Sequence, residues 1–242
     1  GCCWARCCSS STRRWKWTGP SEPILNLCLG LKQNGHTVHL ACPPDLANRS
    51  VSNRTLPVMA VKQGITPMLL AKPIFQIISL WQNTRILSNF LRHNPIDIIH
   101  THSAFDHHLA VRILKRLSYR PRVIRTNHDG YPLPRTFRNR SLLSECLDGY
   151  ITLSENLRQY DIKTFDGVLP ADKTWVVNGA IDTSRFTEVS PPVRGQERQP
   201  TQFLKFKHGI GMDAIVVGVI ARVQRHRRFP ILLRALKMAI QE

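Results

Sequence analysis

From Pro20 onward the apolar positions alternate between two rhythms, one recurring every three to four residues and one running continuously for a few residues. The first rhythm predicts helices and the second buried strands. Ser21 and Glu22 open a helix whose Ile24, Leu25, Cys28, Leu29 and Leu31 share a face, and Gly35 follows its end. "TVHLAC" (37–42) reads as a strand, residues 46–53 as a short polar helix, and "PVMAV" (57–61) as a second strand. Ile77, Ile78, Trp81, Ile86, Leu87 and Phe90 keep helical spacing across 74–91, and Pro95 stops that helix. "IDIIH", "RVIRT" and "DGYITL" are β-branched runs separated by helical patterns at 104–117, 137–146 and 154–165.

Such β-α-β-α order predicts the α/β class, a doubly wound parallel Rossmann-like sheet with helices on both faces. In that architecture ligands gather at the carboxyl ends of the strands. Residues 1–17 show no clear period and read as a damaged or truncated start that lacks a complete first strand. Residues 18–180 form the expected domain, and 181–213, rich in Pro, Arg and Gln, a linker. Residues 214–242 hold one buried strand, "AIVVGVIAR", and one helix at 230–240. A single β-α unit is the opening of a second domain, not the whole of one.

Charge sharpens this picture. Thirty-four Lys and Arg against sixteen Asp and Glu leave +18, a balance that suits phosphates, nucleic acid or an anionic membrane. Nine of those cations fall between Arg112 and Arg140, with Asp129 the one carboxylic acid of Asp type and no Glu up to that point. Seven cysteines include Cys2-Cys3 and Cys7-Cys8, a spacing with no second pair or His to complete a zinc site. Cys28, Cys42 and Cys146 stand alone in apolar surroundings, as reduced thiols do, which favours a cytoplasmic location. No signal peptide precedes the three Asn-x-Ser/Thr triplets, so these are read as chance matches. The most apolar window, 68–81, is broken by Lys72 and Pro73 and falls short of the roughly 20 residues that span a bilayer.

The densest chemistry is "HTHSAFDHH", His100 to His108, at the carboxyl end of a predicted strand. A metal site would need these ligands to converge. With a helix beginning near Ala104, however, Asp106, His107 and His108 point about 100° apart in succession. No metal is therefore expected. His100 reads as a hydrogen-bonded strand-end residue, and His107 and His108 as solvent-facing. His102 and Asp106, four apart, both look into the cleft, where imidazole and carboxylate suit the hydroxyls of a sugar.

The order of these blocks, from about Trp17 to Ala239, resembles the retaining glycosyltransferases of family 4, which have the GT-B fold. "WTGPSEPILNLCLGLKQNGHTVHLACPPD" is similar to that family's Gly-rich loop, first helix and second strand. The resemblance gives Gly19 close backbone approach and Glu22 an acceptor or sugar contact. "IDIIHTHSAFDHHLA" and "VIRTNHDGYP" resemble its H-x-H and H-D/G blocks. They imply that His128 is the catalytic contact to the transferred sugar or acceptor, with His102, Asp106 and Asp129 around it. "VVNGAIDTSRF" resembles the passage between domains, with Asn178, Gly179 and Asp182 as hinge. "VVGVIARVQRHRRF" resembles the donor-diphosphate motif, in which Arg222 and Arg227 neutralise the leaving group and Arg228 stands in a glycine's place. The family's pair of glutamates eight apart has no counterpart in this sequence.

Two readings follow. By resemblance, the chain is the acceptor-side domain and the start of the donor domain of a glycosyltransferase fragment, inactive alone. It would move a hexose from a UDP- or GDP-sugar with retention, with no permanently bound cofactor. A partner chain would supply the donor half, and an anionic membrane surface on the cytoplasmic side would hold it peripherally. The alternative is a basic, non-catalytic module for membrane or nucleic acid. Against nucleic acid, the basic cluster lacks interleaved aromatics and any helix-turn-helix or zinc-finger spacing.

Overall fold

A computed structural model describes residues 2–6, 21–44, 55–71, 76–180, 183, 205–219 and 227–241. The chain divides into two compact units, Gly1–Thr183 and Ser184–Glu242.

The first unit is built on one seven-stranded sheet: β1 (Cys2–Arg6), β2 (Thr37–Cys42), β3 (Met68–Leu69), β4 (Ile98–Thr101), β5 (Arg122–Thr126), β6 (Gly149–Thr152) and β7 (Thr174–Val176). Their spatial order is β3-β2-β1-β4-β5-β6-β7, and every pair is parallel. The order reverses direction at β1 and β4, the switch point of a doubly wound sheet. Six helices make the crossovers: α1 (Ser21–Gln33), α2 (Leu56–Lys62), α3 (Gln76–His93), α4 (Ala104–Leu114), α5 (Phe137–Cys146) and α6 (Glu155–Thr164). Right-handed crossovers put α1 and α2 on one face and α3 to α6 on the other. The cores agree: Ile24, Leu25 and Cys28 meet Leu40, Leu56 and Ala60 on the first face, while Leu87, Leu91, Ile99, Leu109 and Ile113 close the second. Ser103, Thr136 and Ser154 cap α4, α5 and α6 by accepting a backbone N–H two or three residues into each helix.

Four expectations are corrected. Residues 2–6, expected to be unpatterned, form a strand in the middle of the sheet, paired to Thr37–Ala41 on one side and Ile98–Thr101 on the other. A strand enclosed on both sides needs no alternation, so a run as short as "CCWAR" shows no period. "PVMAV" belongs to α2, not to a strand. Extended Thr55 precedes it, Pro57 sits at its start, and Leu56 and Ala60 are buried at an interval of four while Val61 is exposed. The edge strand is instead Met68–Leu69; the polar helix at 46–53 lies outside the described residues. The six apolar positions at helical spacing in α3 divide between two faces: Ile77, Ile78, Trp81 and Ile86 are exposed, Leu87 is buried and Phe90 packs against the core, and Leu80 and Leu91 join Leu87 on the inward face beside Ser79, Asn83, Thr84 and Ser88. Two of those polar groups are satisfied locally: Asn83 Oδ1 accepts the Ala71 N–H at 2.8 Å, and Thr84 Oγ1 donates to the Leu80 carbonyl at 2.6 Å, whereas the buried Ser88 hydroxyl has no partner among the described residues.

In the second unit the expected buried strand at 214–222 is not seen over its described part. Residues 214–219 pair with no strand, and Ile215 is 94% exposed. A parallel strand needs neighbours on its edges, and the described part of this unit offers none. A helix, α7 (Phe229–Gln241), follows. Before it, Arg228 has φ 53°, so the residue standing in a glycine's place holds a left-handed backbone that favours glycine.

Candidate functional site

The parallel register of β4 and β5 sets His100 opposite Ile124 and Thr101 opposite Arg125, which brings His102 level with Thr126. Side chains two apart on a strand share a side, so His100 and His102 line up against Thr126 and His128 at the carboxyl edge. The His100 Nε2 and Thr126 Oγ1 lie 2.7 Å apart, and the His102 Nδ1 and His128 Nε2 share a hydrogen bond of 2.8 Å. The rings stack in sequence, with centroids 4.3 Å apart from His100 to His102 and 5.0 Å from His102 to His128.

Burial keeps this row uncharged. It pushes His100 down to about 4, helped by His128. It pushes His102 well below the usual imidazole range, with His100 and His128 adding to the effect. His128 is lowered by burial too, partly opposed by the Asp129 carboxylate beside it. Since both rings of the His102–His128 pair are neutral at pH 7, one proton serves their shared bond, and the buried Nε2 of His102 has no partner among the described residues.

The loop holding His128 is fastened at both ends. Asn127 donates its N–H to the Ile151 carbonyl at 2.9 Å, and its Oδ1 accepts the Asp129 N–H at 3.1 Å in an Asx turn. Its amide also reaches the Tyr131 carbonyl at 3.2 Å. Further on, the Leu133 N–H donates to Asp161 Oδ1 at 3.0 Å, and the Tyr150 hydroxyl donates to Asp161 Oδ2 at 2.8 Å. Asp129 itself is exposed.

Two expectations about the nine-residue motif do not hold. Asp106 faces inward, 1% exposed, because Ser103 Oγ donates to its Oδ2 at 2.8 Å while accepting its N–H. Ser103 thus caps α4 and holds the Asp106 carboxylate through its hydroxyl, which turns the carboxylate back onto the helix end. His107 is fully buried, not solvent-facing, with Nε2 3.4 Å from Cys146 Sγ on α5. It lies there because α4 is covered by the sheet and by its neighbouring helices, leaving few outward positions. Burial lowers His107 to about 3, with Arg125 assisting, and raises the Cys146 thiol to about 12. His100 is hydrogen-bonded as expected, and His108 is half-buried.

Glu22, half-buried in the first turn of α1, lies at the same sheet edge, since a crossover helix returns antiparallel to its strands. Asn178 and Gly179 are exposed just after β7. Arg227 is exposed in the second unit, while Gly19, Asp182 and Arg222 lie outside the described residues. No group of three His, Cys, Asp or Glu among the described residues could hold a metal ion.

Two residues escaped the sequence reading. Asn127 shapes the turn that presents His128, and its signal was the "TNHDG" string itself. Arg125, only 4% exposed, has Nε and Nη1 without partners among the described residues. Burial lowers its pKa, opposed by the Tyr150 hydroxyl and then by the carboxylates of Asp106, Asp161 and Asp129. An arginine within a β-branched run gave no sign of pointing inward.

Residues 18–185 match the family model described as Glycosyltransferase Family 4. No curated protein matches the chain. Among solved structures, Anabaena HepE in complex with UDP and glucose is 14% identical, with a TM-score of 0.67, over 97% of this chain and 57% of its own. The sucrose-phosphate synthase of Thermosynechococcus elongatus is 12% identical, with a TM-score of 0.64, over 97% of this chain and 59% of its own. A glycosyltransferase from Rickettsia africae is 13% identical, with a TM-score of 0.61, over 88% of this chain and 50% of its own. The chain thus spans 50% to 59% of the length of these structures, whose α/β fold with parallel sheets flanked by helices it shares.

Proposed function

The chain belongs to Glycosyltransferase Family 4, and from that premise we propose that it serves the transfer of a hexose from a UDP- or GDP-sugar to a lipid, polysaccharide or other acceptor, with retention at the anomeric carbon. The observation that carries this reading is the His102–His128 pair at the carboxyl edge of β4 and β5. A neutral imidazole has one donor and one acceptor. His128, held through Nε2 by His102, therefore offers Nδ1 to a sugar hydroxyl near the reacting carbon. Asp129, next in the turn, accepts from a second hydroxyl. Gly19 and Glu22 belong to the same sugar or acceptor side, and Asp106 serves it by fixing the start of α4 beside His102.

Transfer also needs charge opposite the departing diphosphate, and Arg222 and Arg227 supply it. Asn178, Gly179 and Asp182 form the hinge between the sugar side and the donor side. No permanent cofactor takes part; the nucleotide sugar enters as substrate, a role supported by the UDP and glucose held by Anabaena HepE. Residues beyond these 242, in a longer polypeptide or a partner chain, complete the donor pocket, since no two glutamates here stand eight apart. The site works on the cytoplasmic side, against an anionic membrane surface.

The test follows the imidazole resonances of His102 and His128 by NMR while free hexoses and UDP- and GDP-hexoses are added to the chain. A matching sugar shifts both rings, and His128→Ala abolishes the response of His102. A panel of hexoses that moves neither ring sinks the reading. The alternative of a basic, non-catalytic module is favoured by one observation, the run of exposed cations on α4 and α5. It predicts anion binding that no sugar changes.

A further inference from the structure

We propose that the outer face formed by α3, α4 and α5 is a docking surface for an anionic lipid bilayer. The surface extends the membrane contact of the reading above, but it stands on separate residues. Its charge is one-sided. α3 carries no Asp or Glu, α4 only the buried Asp106, and α5 only Glu145, which lies 3.4 Å from Lys115. Arg85, Arg92, Arg112, Lys115, Arg116 and Arg138 are all exposed on or just beyond these helices.

These cations line two grooves. One, of about 560 Å³, lies between α4 and α5 and is bordered by Arg112, Lys115, Arg116 and Arg138. The other, of about 460 Å³, lies between α3 and the end of α4 and is bordered by Arg85, Arg92 and Arg116. Arg116 borders both, so the two grooves are neighbours on this face.

Hydrocarbon stands among the charges. Phe137 is 89% and Ile77 85% exposed, and Ile78, Trp81 and Ile86 are exposed with them. Ile78, Trp81, Arg85 and Arg92 fall on one stripe of α3, and the Arg85 guanidinium sits 5.8 Å over the Trp81 ring. This is the outward stripe that the core does not use.

The mixture selects the partner. A free phosphate or a nucleic acid would satisfy the guanidinium groups but gives isoleucine side chains nothing to bury against. A bilayer surface offers both, with phosphates at headgroup level and acyl chains a few ångströms below, where Ile, Trp and Phe side chains gain by insertion. No helix among the described residues is long and apolar enough to cross a membrane, so the contact is peripheral.

The experiment is co-sedimentation of the full chain with vesicles of phosphatidylcholine alone or mixed with phosphatidylglycerol, at low and high salt. Binding to the mixed vesicles should be at least about ten-fold tighter and weaken with salt. Each cation removed should lose roughly five-fold, so Arg112→Gln, Arg116→Gln and Arg138→Gln together lose on the order of a hundred-fold. Phe137→Ala and Ile77→Ala should weaken vesicle binding while leaving binding of a single-stranded oligonucleotide unchanged. The replaced side chains are exposed, so near-UV circular dichroism should match the parent. His128→Ala should bind vesicles as the parent does, which separates failure of docking from failure of the sugar chemistry. Equal binding to both vesicle types, indifference to the triple substitution, or an oligonucleotide that displaces vesicles and responds equally to Phe137→Ala would overturn the proposal.

Discussion

A histidine usually adds a proton-accepting group near neutrality; His100, His102 and His107 are arranged so that they do not. Each ring is neutral in the folded chain because burial outweighs every other influence on it. In the unfolded chain the same rings take up protons below about 6.5. Stability from neutral burial is therefore whole above that pH, falls as pH drops toward about 4 for His100 and about 3 for His107, and falls no further below those values. The slope contributed by each ring is about 1.4 kcal/mol per pH unit within its window. Urea midpoints measured at neutral and mildly acid pH should drop accordingly, and His107→Gln should flatten the dependence. An identical slope in that variant and the parent would contradict the buried neutral state of His107.

At the scale of elements, Gly149 gives a sharp prediction. A Cβ there would stand 2.7 Å from the Trp175 ring on the neighbouring strand, so the indole lies across β6 at this point only because the side chain is absent. Gly149→Ala should cost about 1–3 kcal/mol by chemical denaturation, and Trp175→Ala in the same chain should recover most of it. Additive losses would show that the ring is not the obstacle. Element types were largely legible in the sequence, because long periodic helices and β-branched runs carry their own signal. Facing was less so. In α3 the sequence offers two stripes, one of Ile77, Ile78 and Trp81 and one of Leu80, Leu87 and Leu91 mixed with hydroxyl and amide groups. Hydropathy favours the first, but the second takes the core, with Asn83 and Thr84 closing their polar groups onto the backbone of Ala71 and Leu80. At the candidate site, the strand-end placing of His100 and His102 could be read from "IDIIH", whereas the turn of Asp106 depends on Ser103 and the burial of His107 on Cys146, a residue of another helix. The two-apart pairs His100/His102 and Thr126/His128 on adjacent strands were visible, but their meeting depends on a register that sequence alone does not state.

The whole first unit depends on β1, which pairs with β2 on one side and β4 on the other. Deleting residues 1–6 leaves those two strands with facing, unpaired edges in the middle of the sheet. The shortened chain should lose its near-UV circular dichroism and its cooperative urea transition; a cooperative transition that survives would show that β2 and β4 can close on each other. The same placement has a bearing on synthesis. The ribosome releases β1 well before its second partner, and roughly a hundred residues at about 5–20 per second separate the two, so the strand waits on the order of five to twenty seconds with one edge open. A nascent chain of this design has an interval in which a chaperone, or another nascent chain, can reach that edge before β4 does.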